Sequence, residues 1–262
     1  MILLTPLAAV VNPFVGTDTA GQIFPKPVSK VSAELGGAFT SGNTMMYSLN
    51  GALDADHRWK QNKLTLDLGA NLGRSVLDAN ADGHIDADER AAGWTENARK
   101  ILVDGRYDRY FGKKDSLYAL AGTLIDPFAG YDNRSHAQLG YSHVVYQAVP
   151  TSIVAEVGAD VAREDYIVGV DPGEAWLVSV RAMVGVTHAF NANVSLADKV
   201  EVYENVPAFE DVRVLNQASL TSKLTDRFSL KLSHSLTFDN VPVEGFLSFD
   251  QSATVTFVAS IL

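Results

Sequence analysis

From Ser29 onward, apolar residues fall at every second position in runs of roughly ten, each run ending at a polar or glycine-rich break. Leu64, Leu66, Leu68, Ala70 and Leu72 alternate with Thr65, Asp67, Gly69, Asn71 and Gly73. Leu230, Leu232, Leu236 and Phe238 alternate with Ser229, Lys231, Ser233, Ser235 and Thr237, and Trp176 to Thr187 follows the same rule less cleanly. Successive side chains on a strand point to opposite faces, so each run predicts a strand with one greasy and one wet face. Twelve such segments follow one another: Lys30–Ser41, Thr44–Asp56, Lys63–Ser75, Ala98–Phe111, Ser116–Asp126, Ser135–Gln147, Ser152–Arg163, Ala175–Phe190, Asn193–Tyr203, Arg213–Thr225, Phe228–Asp239 and Ser248–Ile261.

An even strand number suits a closed antiparallel transmembrane β-barrel, and the connections alternate in length as such barrels require. Phe111–Ser116, Gln147–Ser152, Phe190–Asn193 and Thr225–Phe228 are short, with His57–Asn62 slightly longer. The connections between them are long and rich in Pro, Gly, Asp and Asn: Pro127–Arg134, Glu164–Glu174, Glu204–Val212, Asn240–Leu247 and an insertion over 76–97. The first, only Gly42 and Asn43, is the exception. Alternation is equally a property of soluble β-barrels and sandwiches, and periodicity does not say which face is outside. Strand number, loop asymmetry and aromatics near segment ends (Tyr107, Tyr110, Phe111, Phe190, Tyr203, Phe228, Phe238) favour the membrane barrel.

Composition narrows the picture in places. A mean hydropathy of +0.03 decides nothing, because a membrane barrel averages its two faces. No run approaches the roughly 18 apolar residues of a membrane-crossing helix. A net charge of -10, with Lys and Arg scattered, argues against nucleic acid as a partner. With no cysteine there is neither disulfide nor thiolate chemistry. Ile2 to Val11 is a short apolar run without a basic leader, which reads either as a truncated export signal or as a buried N-terminal segment. The expected organisation is therefore an N-terminal segment over 1–28 and a barrel domain over 29–262, facing outer-membrane lipid.

The insertion carries a different signal. Asp78 to Glu89 matches a twelve-residue EF-hand loop at every liganding position. Calcium takes six to eight oxygen ligands. Asp78, Asn80 and Asp82 would supply side-chain oxygens, His84 its backbone carbonyl, Asp86 a direct or water-mediated contact, and Glu89 both carboxylate oxygens. Gly83 permits the sharp turn, Ile85 anchors the coil, and Ala87 to Ala92 can form a short exiting helix before Gly93. The residues upstream read as strand, so this is half an EF-hand inserted between strands three and four. Without a paired second loop it predicts weak Ca2+ binding, on the order of 10⁻⁴–10⁻³ M.

A catalytic Ser–His pair on one strand face needs a spacing of two. Ser142-His143 and His234-Ser235 are adjacent and point to opposite faces, so no enzyme is expected. Glu156 and Asp160 share a face, which suits an acid–base pair but is better explained by a lumen ion-pair network with residues such as Arg181.

The segment Ala33 to Thr44, with Glu34-Leu35-Gly36 leading to Thr40-Ser41-Gly42-Asn43-Thr44, resembles the opening signature of the salt-induced outer-membrane protein family (YdiY-like), a family of unknown function. Lys100–Phe111, Gly130–Gly140 and Leu220–Leu230 are similar to its other motifs. The resemblance covers about Ser29 to Leu262 and implies a porin-like β-barrel in the outer membrane of a Gram-negative bacterium. It implies no catalytic residues, and it connects the chain with salt only through the family's name. The acidic loop lies outside the family pattern, and Ile261-Leu262 replaces the terminal aromatic usual in such barrels.

Overall fold

The computed structural model describes residues 24–169 and 174–261. All twelve expected strands are present: β1 (Phe24–Thr40), β2 (Met46–Lys60), β3 (Asn62–Ser75), β4 (Thr95–Phe111), β5 (Asp115–Asp126), β6 (Tyr131–Ala148), β7 (Thr151–Tyr166), β8 (Glu174–Ala189), β9 (Val194–Asn205), β10 (Val212–Lys223), β11 (Phe228–Asp239) and β12 (Phe249–Ser260). Each pairs antiparallel with its neighbours in sequence, and β1 pairs with β12 to close the barrel. Closure leaves no free sheet edge.

Several strands outrun their sequence limits. β1 begins at Phe24, inside the expected N-terminal segment over 1–28, while the apolar run Ile2 to Val11, expected as an export signal or a buried segment, lies outside the described residues. β2 continues to Lys60, so the turn expected to be the longest on its side is the tightest. Trp59 pairs with Asn62, and Lys60 takes a left-handed φ of 49° to reverse the chain. The residues His57 to Asn62 read as a loop in sequence, yet ladder bonds to β1 and β3 keep His57 to Trp59 extended and leave the reversal to Lys60 and Gln61.

The structure decides which face is outside. Leu35, Leu64, Leu139, Val157, Trp176, Leu232 and Phe257 project outward and are exposed, whereas Asn71, Asp160, Ser179, Arg181 and Lys231 point inward and are buried. Polar groups fill the interior and hydrocarbon covers the exterior, the inverse of a soluble barrel. Outward aromatics ring both ends. Phe111, Tyr141, Phe190 and Phe228 lie at the end where β1 begins, and Phe39, Trp176, Phe209 and Phe249 at the other. Tyr110 and Tyr203, expected among these interface aromatics, instead face the lumen: Tyr203 is buried and Tyr110 sits 4.6 Å beneath the Arg58 guanidinium. Position near a strand end is shared by inward and outward residues, and only strand parity separates them.

The strands tilt strongly. Stepping through direct partners from Lys30 on β1 to Asp56, Thr65 and Arg106, and on across the sheet, the row reaches Asn205 at the far end of β9. The closing seam is the shortest ladder, Ser32 to Leu35 against Phe257 to Ser260. Glu34 reinforces it from inside by accepting from Lys231 Nζ at 2.6 Å and Thr256 Oγ1 at 3.1 Å.

On the opposite wall a different device packs the lumen. Tyr118 pairs with Gly140, which pairs with Gly158, and the phenol lies over both glycines. A Cβ on Gly158 would stand 2.6 Å from the Leu139 carbonyl oxygen and 2.7 Å from the Tyr118 hydroxyl. Gly158→Ala is therefore expected to cost about 1–3 kcal/mol through overpacking. A lowered urea midpoint for the gel shift between folded and boiled protein would show it, and an unchanged midpoint would mean that the wall is looser than described.

Candidate functional site

The lumen is built from charged residues that alternation places on the inner face of nearly every strand. Its centre is a chain of ion pairs across β4, β7, β8 and β9. Arg106 reaches Asp108 at 2.8 Å and Glu156 at 2.7 Å, and Glu156 accepts from Arg181 at 2.9 Å. Arg181 bonds Glu201, which is also held by Lys199 at 3.2 Å. The Arg106 guanidinium stacks 4.2 Å from the Tyr118 ring centroid, and the Tyr118 hydroxyl accepts from Arg181 at 2.8 Å. The glycine seat thus carries a tyrosine that props two arginines in position.

Toward the end with the longer loops, Glu164 takes Arg213 at 2.9 Å, Arg134 at 3.2 Å and the Tyr166 hydroxyl at 2.8 Å. On the β2–β4 wall the arrangement changes sign. Asp54 is paired directly with Asp67, and Asp67 with Asp104, so three carboxylates stand side by side. His136 approaches Asp104 at 3.0 Å across Gly122, and Asp160 at 3.4 Å. A Cβ on Gly122 would overlap this contact at 1.7 Å from Asp104 Oδ1, so the glycine is required by the pair. Among these groups lies a cavity of about 300 Å³ that includes Asp67, Asp104, Arg106, Glu156 and Arg181 in its lining. Such a volume suits a cluster of waters or a small solute rather than a wide aqueous pore.

The expected pairing of Glu156 with Arg181 is present, and Lys199 and Glu201, two apart on one strand face, also pair inside the lumen. Asp160, expected to join them, lies instead beside His136. Ser142 is buried in the lumen while His143 faces outward and bonds Asp115 at 2.7 Å. The carboxylate row went unrecognised in the sequence because it is made by register between three strands, and no local pattern marks it.

The acidic loop joins β3 to β4. Its exiting helix α1 (Ala87–Ala92) forms as expected and stops at Gly93. Asp86 caps it by accepting from the Asp88 and Glu89 N–H groups, and Glu89 Oε2 accepts from the Asp86 N–H in return, a capping box. Gly83 takes φ 90° at the sharp turn. Asp78 accepts from the Gly83 N–H at 2.9 Å and the Asp82 N–H at 3.1 Å; Asn80 Oδ1 accepts from the Asp82 N–H at 3.0 Å. Asp82 accepts from the His84 N–H at 3.1 Å and pairs with the His84 ring at 2.8 Å. Glu89, buried beside Ile85, reaches back to the Ala79 N–H at 2.6 Å. Asp78, Asn80, Asp82, His84, Asp86 and Glu89 thus share one coil that its own backbone N–H groups organise. Among the described residues, however, no three His, Cys, Asp or Glu side chains converge as a metal-ligand set.

The family model described as a protein of unknown function, DUF481, matches residues 33–261. The chain belongs to this family. DUF481 corresponds to the YdiY-like salt-induced outer-membrane proteins that Ala33 to Thr44 resembles. Among solved structures, this DUF481 chain is similar to the NanC porin, at 12% identity over 88% of this chain and 100% of that one, with a TM-score of 0.53. It is also similar to the COG4313 outer membrane channel from Pseudomonas putida F1, at 14% identity over 95% and 100% of the two chains, with a TM-score of 0.48. No curated protein matches the chain. The likeness to the porin is one of fold, a closed barrel of the outer-membrane type.

Removing one partner from the central ion chain leaves two buried guanidinium groups short of a counter-charge. Glu156→Gln is expected to destabilise the barrel by roughly 3 kcal/mol. Asp226→Asn, which removes an exposed pair with Lys223 in the β10–β11 turn, is expected to leave the urea midpoint unchanged. Equal midpoints for the two variants would show that water, not Glu156, balances Arg106 and Arg181.

Proposed function

We propose that this DUF481 protein is an outer-membrane β-barrel of a Gram-negative bacterium, without catalytic activity, whose lumen admits at most water and small ions. The observation that carries the reading is the inverted polarity: apolar side chains cover the exterior while Arg106, Glu156, Arg181 and Glu201 brace the interior. A soluble calcium-stabilised module would have to hydrate that apolar exterior, which far exceeds the patches tolerated on soluble proteins. The long connections share one end, opposite the beginning of β1, and in barrels of this type long loops face outward. The acidic loop then lies on the outer side of the cell.

Reconstitution into planar bilayers tests the lumen. The wild type is expected to give small-ion conductance only, with no passage of sugars in liposome swelling, and Arg181→Ala is expected to enlarge the conductance by removing the central strut. A wild type that passes sugars would overturn the closed-lumen reading. Silence from both proteins would leave a structural role and end the passage reading.

We further propose that the loop binds one Ca2+ ion weakly, through oxygens of Asp78, Asn80, Asp82, Asp86 and Glu89 and the His84 carbonyl. The support is the twelve-residue pattern, the turn at Gly83, and the helix that Asp86 and Glu89 cap. Trp94 packs on Tyr47 with ring centroids 5.2 Å apart, so its fluorescence reports the loop's exit. Calcium titration is expected to change that emission at about millimolar concentrations and to have no effect in Asp78→Ala. Absence of both a fluorescence response and calorimetric heat in the wild type would end the calcium proposal.

A further inference from the structure

The outward face of the barrel is apolar at mid-strand except on one side. Strand parity on β9 to β11 is fixed by exposed Val200, Leu220, Leu232 and Phe228, all outward. The same parity places Asp198, Asn216 and His234 outward as well, each near the middle of its strand. His234 sits midway between the outward aromatics Phe228 and Phe238. Ala218 is the direct partner of both Asp198 and His234, so a small residue lies at the centre of the group. Elsewhere the mid-strand outward positions carry residues such as Leu66, Val103, Leu139, Val157 and Val180.

A carboxylate and an imidazole in the hydrocarbon layer are costly unless another protein surface receives them. Asn216 donates to Asp198 Oδ1 at 2.7 Å and to the Lys199 carbonyl at 3.0 Å, which uses its amide hydrogens and leaves its Oδ1 as an acceptor. Among the described residues, His234 has no hydrogen-bond or ionic partner. The patch therefore offers acceptors on one flank, at Asn216 and Asp198, and an imidazole on the other, with Ala218 between them.

We propose that this face of β9–β11 is a dimer interface, and that its occupant is a second copy of the same chain. Barrels sharing a membrane and an orientation are related by a two-fold axis parallel to the barrel axis, and such an axis exchanges the left and right flanks of a patch. An axis passing close to Ala218 brings His234 of each copy toward Asn216 and Asp198 of the other. Because the strands tilt, Asn216 lies closer in height to His234 than Asp198 does, so the Asn216 carbonyl oxygen accepts from the imidazole N–H while Asp198 holds the amide in place. The small Ala218 lets the two walls approach. The inference rests on the membrane-barrel reading of the exterior.

The absence of cysteine makes a disulfide test clean. Ala218→Cys, oxidised with copper phenanthroline in native membranes of the expressing cell, is expected to run as a species of twice 28.2 kDa on a non-reducing gel. Val157→Cys, outward on the opposite wall, is expected to stay monomeric. Adding His234→Leu to Ala218→Cys is expected to cut the cross-link several-fold. Heat-modifiable migration of the same samples reports the barrel independently, so loss of the dimer is not confused with failure of the membrane reading. An Ala218→Cys variant that stays monomeric and is labelled fully by a membrane-permeant maleimide would overturn the proposal, as would equal cross-linking of the Val157→Cys variant. A cross-link to a protein of another mass would overturn the choice of a second copy.

Discussion

Hydrocarbon offers no hydrogen bonds, so a chain that crosses it must satisfy every backbone N–H and C=O within its own sheet. Twelve strands meet that demand only by closing, and the rest of the architecture follows from closure. The tilt accommodates the curvature, and the alternating side chains are forced into one face for lipid and one for the lumen. The seam carries the greatest local burden because β1 and β12 share the shortest ladder. Glu34 answers it with a buried bridge to Lys231 and a hydrogen bond from Thr256, tying three strands together where the backbone contributes least.

The lumen solves a second problem created by the first. Inward residues must be polar enough to leave the exterior apolar, yet a narrow interior leaves them little water. Ion pairing is the outcome, with Arg106, Glu156, Arg181 and Glu201 linked in series and Tyr118 supporting the arginines from a seat of two glycines. Buried pairs of this kind add little net stability over an apolar filling, but each member becomes indispensable once its partner is present. The Asp54, Asp67 and Asp104 row adds carboxylates beside this balanced chain, and Asp67 and Asp104 line the same cavity as Arg106, Glu156 and Arg181.

The acidic loop shows how a local motif can survive on a foreign scaffold. Its hydrogen bonds are almost all internal: Asp78 to Gly83, Asn80 to Asp82, and Glu89 to Ala79 and Asp86. The barrel needs only to present the two ends, at Ser75 and Thr95, which are themselves paired in the ladder. A self-contained coil of this sort asks only a local adjustment of the ladder, here the register shift between Gly73 and Arg74 at the base of the loop.

Strand number, order and the alternation of long and short connections were written in the sequence, because a period of two and its breaks are local properties. The exiting helix α1 and the turn at Gly83 were likewise local and formed where the pattern put them. The sequence could not distinguish inside from outside. Leu64 and Thr65 alternate identically in a soluble and a membrane barrel, and only the direction in which the closed sheet curls turns one outward and the other to the lumen. Neither could it show Asp67 standing between Asp54 and Asp104, or Asp198 and Asn216 meeting on the outer wall. These depend on which residues the register sets side by side, and register is a relation between strands that no single strand contains.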